Sequence, residues 1–192
     1  MRTRWWMAVL FAAGSTCFLV APFPGFVQLV GPTVDAAVFF VGSLLFTSAA
    51  TLQWRTSGSG LDRWSAVVQL VGTVFFNITT FRAMSTAISS SSYDQLVWRP
   101  DAYGSTCFLV AGCLAYVVVA GALFRRPPPG LESGIAVVNL FGCVAFAVAA
   151  VGAWVLPTTG SPVNVTIANL NTAVGALAFL VGSLLLLVPD RG

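Results

Sequence analysis

The chain has 192 residues, 57% hydrophobic and 8% charged, with a mean hydropathy of +0.89 and a net charge of +3. So few charges cannot cover a water-soluble globule of this size, and the positive balance comes from arginine alone, with no lysine and no basic stripe of the kind that binds nucleic acid. The absence of histidine and lysine excludes an imidazole-held haem, a histidine metal site, a Ser-His-Asp triad, a retinal Schiff base and a Walker P-loop, so no cofactor and no metal are expected.

A helix needs roughly 20 mostly apolar residues to cross a bilayer. Six such runs occur, at about 5–21, 34–54, 64–83, 102–124, 134–156 and 167–188. They predict an all-α integral membrane protein, a six-transmembrane-helix bundle in which residues 1–192 form one transmembrane domain and the lipid bilayer is the obligatory partner. Arg2, Arg4, Arg55, Arg63, Arg125, Arg126 and Arg191 fall on one side of these spans and only Arg82 and Arg99 on the other. Cytoplasmic loops hold the excess of arginine, so the split places both termini in the cytoplasm, the parity that six spans require. The arginine-only basic set points to a GC-rich bacterial genome and hence to a bacterial inner membrane.

Span 1 opens with the interfacial Trp5 and Trp6 and stops at Pro22 and Pro24. Its Met-Arg-Thr-Arg start resembles a secretory signal peptide, but Gly14 to Phe18 is the unit found in every later span, so retention is expected. Span 2 runs from Asp35, a first-turn acid at the positive end of the helix dipole, to Trp54. The Ser/Gly-rich link Arg55 to Arg63 leads into span 3, the most polar, with Gln69, Thr73, Asn77, Thr79 and Thr80 in its body. The stretch Ser85 to Pro100 reads as the longest external loop, with serines at 89–92, then Tyr93, Asp94, Trp98 and Arg99. Asp101 precedes span 4, expected to end at Arg125 and Arg126 before three prolines. Spans 5 and 6 close the chain.

One unit recurs in all six. Gly14, Gly42, Gly72, Gly104, Gly142 and Gly175 are each followed by a small residue and, four positions on, by Phe18, Phe46, Phe76, Phe108, Phe146 or Phe179. Positions i and i+4 share a helix face, so each span presents a notch for a neighbouring backbone with a ring one turn away. Gly72 to Gly142 is an offset of 70 and Gly104 to Gly175 one of 71, which makes spans 3 and 4 match spans 5 and 6, with spans 1 and 2 a third, diverged copy. A rival pairing joins spans 1 and 4 through the identical Gly-Ser-Thr-Cys-Phe-Leu-Val at Gly14 and Gly104, giving two inverted three-helix halves as in many transporters. Its offsets drift from 90 to 103. Homo-oligomers follow if some of the six notches face outward.

The runs Val68-Gln-Leu-Val-Gly-Thr-Val-Phe-Phe-Asn77 and Leu96-Val-Trp-Arg-Pro-Asp-Ala-Tyr-Gly-Ser105 resemble uncharacterised multi-pass bacterial membrane proteins with a YrhK-like domain, a two-helix module rich in Gly-Ser-x-x-Phe. The resemblance implies a hairpin unit and no activity.

The candidate functional residues are the polar ones inside the spans. Gln69, Asp101, Asn139 and Thr172 lie three positions before a repeat glycine, Gln69 and Asn139 toward the cytoplasm, Asp101 and Thr172 toward the outside. They are either interhelical hydrogen-bond partners or the lining of a cavity. Asn77, near mid-span, needs a partner for its amide and is the leading single candidate for a ligand contact. Arg82 is a candidate for pairing with Asp101, and the external set Arg82, Asp94, Arg99 and Asp101 either anchors the loop or recognises an external ligand. Cys17, Cys107, Cys113 and Cys143 contain no C-x-x-C and read as helix packing. The sequons at Asn77 and Asn164 are set aside, the first being inside the membrane. The expected function is non-enzymatic, that of a structural, sensory or partner-binding protein. The alternative is a small transporter or channel for a neutral or weakly charged solute. An enzyme acting on lipid would have only Asp94 and Asp101 as exterior acids.

Overall fold

The computed structural model describes residues 2–85 and 90–189. Its long helices are α1 (Arg2–Val20), α3 (Pro32–Thr56), α4 (Leu61–Ala83), α6 (Arg99–Ala120), α7 (Leu131–Gly152) and α8 (Val165–Leu186). Two short helices, α2 (Phe26–Val30) and α5 (Ser90–Tyr93), lie on connections, and a single π-helical turn, Asp94–Trp98, leads into α6. Among the described residues, six helices are long and apolar enough to cross a membrane, the fourth counted from Asp94. The chain is therefore an all-α, multi-pass membrane protein with a six-helix bundle.

Consecutive long helices pack as antiparallel hairpins, α1 with α3, α4 with α6 and α7 with α8. The hairpins join through α3–α4, α6–α7 and α8–α1, so the six helices close into a ring. The two faces are unambiguous. The start of α1 meets the end of α8, where Arg4 Nε donates to the Leu186 carbonyl at 3.0 Å. The face carrying these helix ends is called the terminal face and the opposite one the distal face. Arg2, Arg4, Arg55, Arg63, Arg125 and Arg126 belong to the terminal face, while Arg191 lies outside the described residues.

The glycine notches pair the two long helices within each hairpin. A methyl group on Gly72 would stand 2.7 Å from Phe108 and 3.1 Å from the Gly104 carbonyl, and one on Gly104 would meet Phe76 and the Gly72 carbonyl, both at 3.1 Å. Gly14 faces Phe46 and the Gly42 carbonyl, and Gly142 faces Phe179 and the Gly175 carbonyl, in the same way. In each hairpin the two glycines let the backbones touch, and each receives the phenylalanine of the other helix. All six notches are also consumed inside the hairpins, so none is left outward as the argument for homo-oligomers supposed. Cys17 and Cys107 pack their Cβ atoms against Gly42 and Gly72.

Around the ring the outward positions carry Val41, Leu44, Val71, Val74, Phe141, Val144, Leu177 and Val181, all exposed. Burying such a surface in hydrocarbon is what makes the bundle a membrane protein, since in water it would be one continuous apolar patch. Trp5, Trp6 and Trp64 are exposed near the terminal face, and Arg63 stands 5.0 Å over the Trp54 ring.

Several helix ends differ from expectation. α6 stops at Ala120, not near residue 124, because Gly121 at φ 80° takes the left-handed cap and its N–H bonds the Val117 carbonyl at 2.8 Å. α7 ends at Gly152, short of 156, where the chain turns through a Val155–Pro162 bridge. Asn164, the second sequon, is the N-cap of α8 and accepts from the Ile167 N–H at 2.9 Å. The stretch expected as the longest external loop is in part helical, since α5 and the π turn carry residues 90–98 and Asp101 falls in the first turn of α6. Residue 89 of the serine run lies outside the described residues.

Candidate site: two cavities around a phenylalanine plug

The six repeat phenylalanines meet on the ring axis. Phe18, Phe76 and Phe146, from the helices running away from the terminal face, form one triangle with centroid distances of 6.5, 6.2 and 6.1 Å. Phe46, Phe108 and Phe179, from the returning helices, form a second with distances of 6.3, 5.8 and 5.7 Å. The triangles stack through the intra-hairpin pairs Phe18–Phe46, Phe76–Phe108 and Phe146–Phe179 at 5.8, 5.0 and 5.8 Å. These distances are those of favourable edge-to-face and offset ring pairs. A residual void of about 10 Å³ remains between them, bordered by five of the rings and Ser43. That is about the smallest space that holds one water.

On either side of this plug the bundle opens. A distal cavity of about 400 Å³ has the triangle Phe18, Phe76 and Phe146 on its floor. A terminal cavity of about 650 Å³ reaches Phe179 from the other side and extends to Thr3, Thr56 and Leu186 at the helix ends. The outward-running helices place their rings toward the distal face and the returning ones toward the terminal face, so the first triangle floors the distal cavity and Phe179 of the second borders the terminal one.

The polar residues sort between the cavities as their positions in the spans require. Gln69 and Asn139 line the terminal cavity; Asp101 and Thr172 line the distal one. The terminal cavity adds Gln53, Asp62, Glu132 and Arg4, and Arg4 pairs with Glu132 at 3.3 Å. Asn139 Oδ1 is buried without a hydrogen-bond partner among the described residues, and it lies so close to Gly182 that only glycine leaves it room. Among the described residues the distal cavity is lined by two acids, Asp35 and Asp101, and by no basic residue. Asp35 Oδ1 is buried and unpartnered among the described residues.

Asn77 lines neither cavity. Its amide nitrogen donates to Thr47 Oγ1 on α3 at 2.9 Å, while Thr47 donates back to the Ser43 carbonyl at 3.0 Å. Its other atom, Oδ1, is buried without a partner among the described residues. A second bond on the same α3–α4 seam joins Ser43 and Thr80 hydroxyls at 3.0 Å. Nor does Arg82 meet Asp101. It is exposed, and the external ion pair is Arg99 with Asp94, at 3.1 Å.

No family model, curated protein or solved structure matches the chain. The YrhK-like resemblance thus rests on its two sequence runs, and the site has to be read from its own geometry.

One feature of the distal cavity was not legible in the sequence, and a second, shared by both cavities, was. The π turn Asp94–Trp98 brings Tyr93, Val97 and Trp98 over the cavity, with Thr79 donating to the Val97 carbonyl at 2.9 Å and the Trp98 indole N–H donating to the Ala150 carbonyl at 2.8 Å. π turns of this kind recur at functional sites. Burial, and then the charge of nearby Asp101, push the Tyr93 phenol above its ordinary range. The second feature is a pair of small residues seven and eight positions after the repeat glycines. Ala49–Ala50, Thr79–Thr80, Ala111–Gly112, Ala149–Ala150 and Gly182–Ser183 continue the buried stripe beyond five of the six rings. That pair was visible in the sequence as a longer form of the repeat, and with it the stripe facing the axis spans two full turns.

Proposed function

We propose that this protein is a small-solute transporter or channel of a bacterial inner membrane, working without covalent chemistry and with the terminal face in the cytoplasm. The observation that carries the reading is the pair of cavities stacked back to back on the ring axis, each reaching the helix ends at its own face and parted by the phenylalanine plug. A bundle that merely filled its core would not need two cavities of this size in register. Alternating exposure of a central site across a gate of side chains is how secondary transporters work, and an apolar constriction is a recognised gate in channels. The six described arginines at the terminal face, against Arg82 and Arg99 at the distal one, support the orientation.

A second reading is a sensory or partner-binding protein, favoured by the closure of the plug. With only about 10 Å³ left between the rings, no solute passes in this state. In that case a ligand in one cavity would be read out at the other face without crossing.

The test is uptake into proteoliposomes of choline and of neutral polyols, comparing wild type with Phe108→Ala, which removes a ring touching four others. Transport is expected above protein-free vesicles, with a several-fold rise in the variant. If neither protein moves any solute faster than empty vesicles while both stay folded, the transport reading fails and the sensory one takes its place.

A further inference from the structure

We propose that the distal cavity binds a small organic monocation, with Asp101 and Asp35 supplying negative charge and the aromatic wall supplying a cation-binding π surface. The inference names the substrate class of the cavity from which transport was proposed, and to that extent rests on that reading.

Three observations carry it. The first is charge: two carboxyl groups line one cavity with no arginine among its described walls. Arg99, the nearest basic residue in sequence, is engaged by Asp94 at 3.1 Å. Asp101 is half-buried in the cavity wall and makes no hydrogen bond or ion pair among the described residues, and Asp35 has one oxygen buried without a partner. A carboxylate partly withdrawn from water with neither a donor nor a cation is costly to keep charged. A bound cation supplies the missing partner to both.

The second is the wall. Phe18, Phe76 and Phe146 make the floor, and Phe39, Tyr93 and Trp98 stand above it. Trp98 has already spent its one N–H on the Ala150 carbonyl, so what it offers an occupant is ring surface. Aromatic faces attract cations, most of all quaternary ammonium groups that hold water weakly.

The third is what the cavity lacks. Among the described residues no group of three His, Cys, Asp or Glu side chains comes together. Two carboxylates among rings are a poor exchange for the hydration shell of a hard metal ion, which asks for six or more oxygens. At about 400 Å³ the space suits a small molecule rather than a bare ion.

The experiment titrates the full-length protein in lipid nanodiscs with choline and, separately, with its neutral isostere 3,3-dimethylbutan-1-ol, reading tryptophan fluorescence and heat. Saturable choline binding is expected, at least tenfold tighter than binding of the neutral alcohol. Asp101→Asn should weaken choline at least tenfold and leave the alcohol unchanged, with a smaller loss for Asp35→Asn. The proposal is overturned if choline, tetramethylammonium and guanidinium all fail to bind wild type, if the neutral alcohol binds as well as choline, or if calcium or magnesium displaces choline at lower concentration than tetramethylammonium does. The isostere comparison on wild type decides the matter even if the asparagine variants do not fold. Binding is read without vesicles, so choline that binds but does not cross defeats transport alone, and polyol flux without choline binding defeats the cation site alone.

Discussion

Replacing Gly72 by alanine puts a methyl group 2.7 Å from Phe108 Cδ1, 2.9 Å from Cys107 Cβ and 3.1 Å from the Gly104 carbonyl. Carbon atoms in contact sit about 3.5–4.0 Å apart, so the overlap is of order 1 Å. Phe108 cannot swing away, because Phe76 is at 5.0 Å on one side and Phe179 at 5.7 Å on another. Cys107 Cβ is anchored to its backbone, so α4 and α6 themselves must part. Overpacking of this sort costs about 1–3 kcal/mol. Gly134, in the first turns of α7, has no atom within 4 Å of the same methyl group. Both substitutions gain alanine's helix preference, about 1 kcal/mol, which cancels between them. Gly72→Ala should therefore unfold at a lower SDS fraction in mixed micelles than Gly134→Ala, by a difference equivalent to about 1–3 kcal/mol. Tryptophan fluorescence reports the transition. Equal midpoints for the two variants would refute the claim that the hairpins are held by backbone approach at the repeat glycines.

Further outcomes follow from the same contacts. Gly152→Ala sets a methyl group 2.8 Å from the Ala168 backbone nitrogen, an atom less able to yield than a ring edge, and its SDS midpoint should fall below that of Gly72→Ala. Asn77→Leu loses the bond to Thr47 and should cost about 0.6–1.7 kcal/mol; solute flux should be unchanged, since Asn77 lines neither cavity, and a fall in flux with stability intact would put it back in the path. Trp98→Phe leaves the Ala150 carbonyl without its donor and should lower stability by about 1 kcal/mol, measured by the same titration. Reporters fused at the two ends should score on one side of the membrane, and opposite scores would break the six-span parity.

The sequence alone determined the number of spans, the glycine-to-phenylalanine spacing and the layer to which each polar residue belongs. Hydrophobic length counts spans directly, and helical periodicity puts Gly72 and Phe76, or Gln69 and Gly72, on one face whatever lies opposite. It could not say which neighbour that face would meet. Asn77 is one position past Phe76, a rotation of about 100° from the axis, and only the placement of α3 beside α4 turned it toward Thr47 instead of a cavity. Glycine offsets suggested hairpins, but the ring closes because α1 also packs on α8, a contact between the first span and the last that no local pattern encodes. That closure brings six rings from six helices to one point and leaves Asp35 and Asp101, far apart in the chain, sharing one cavity with no basic residue among its described walls. Periodicity belongs to a single helix, whereas a cavity belongs to the packing of several, and for that reason the plug and its two chambers emerged only in three dimensions.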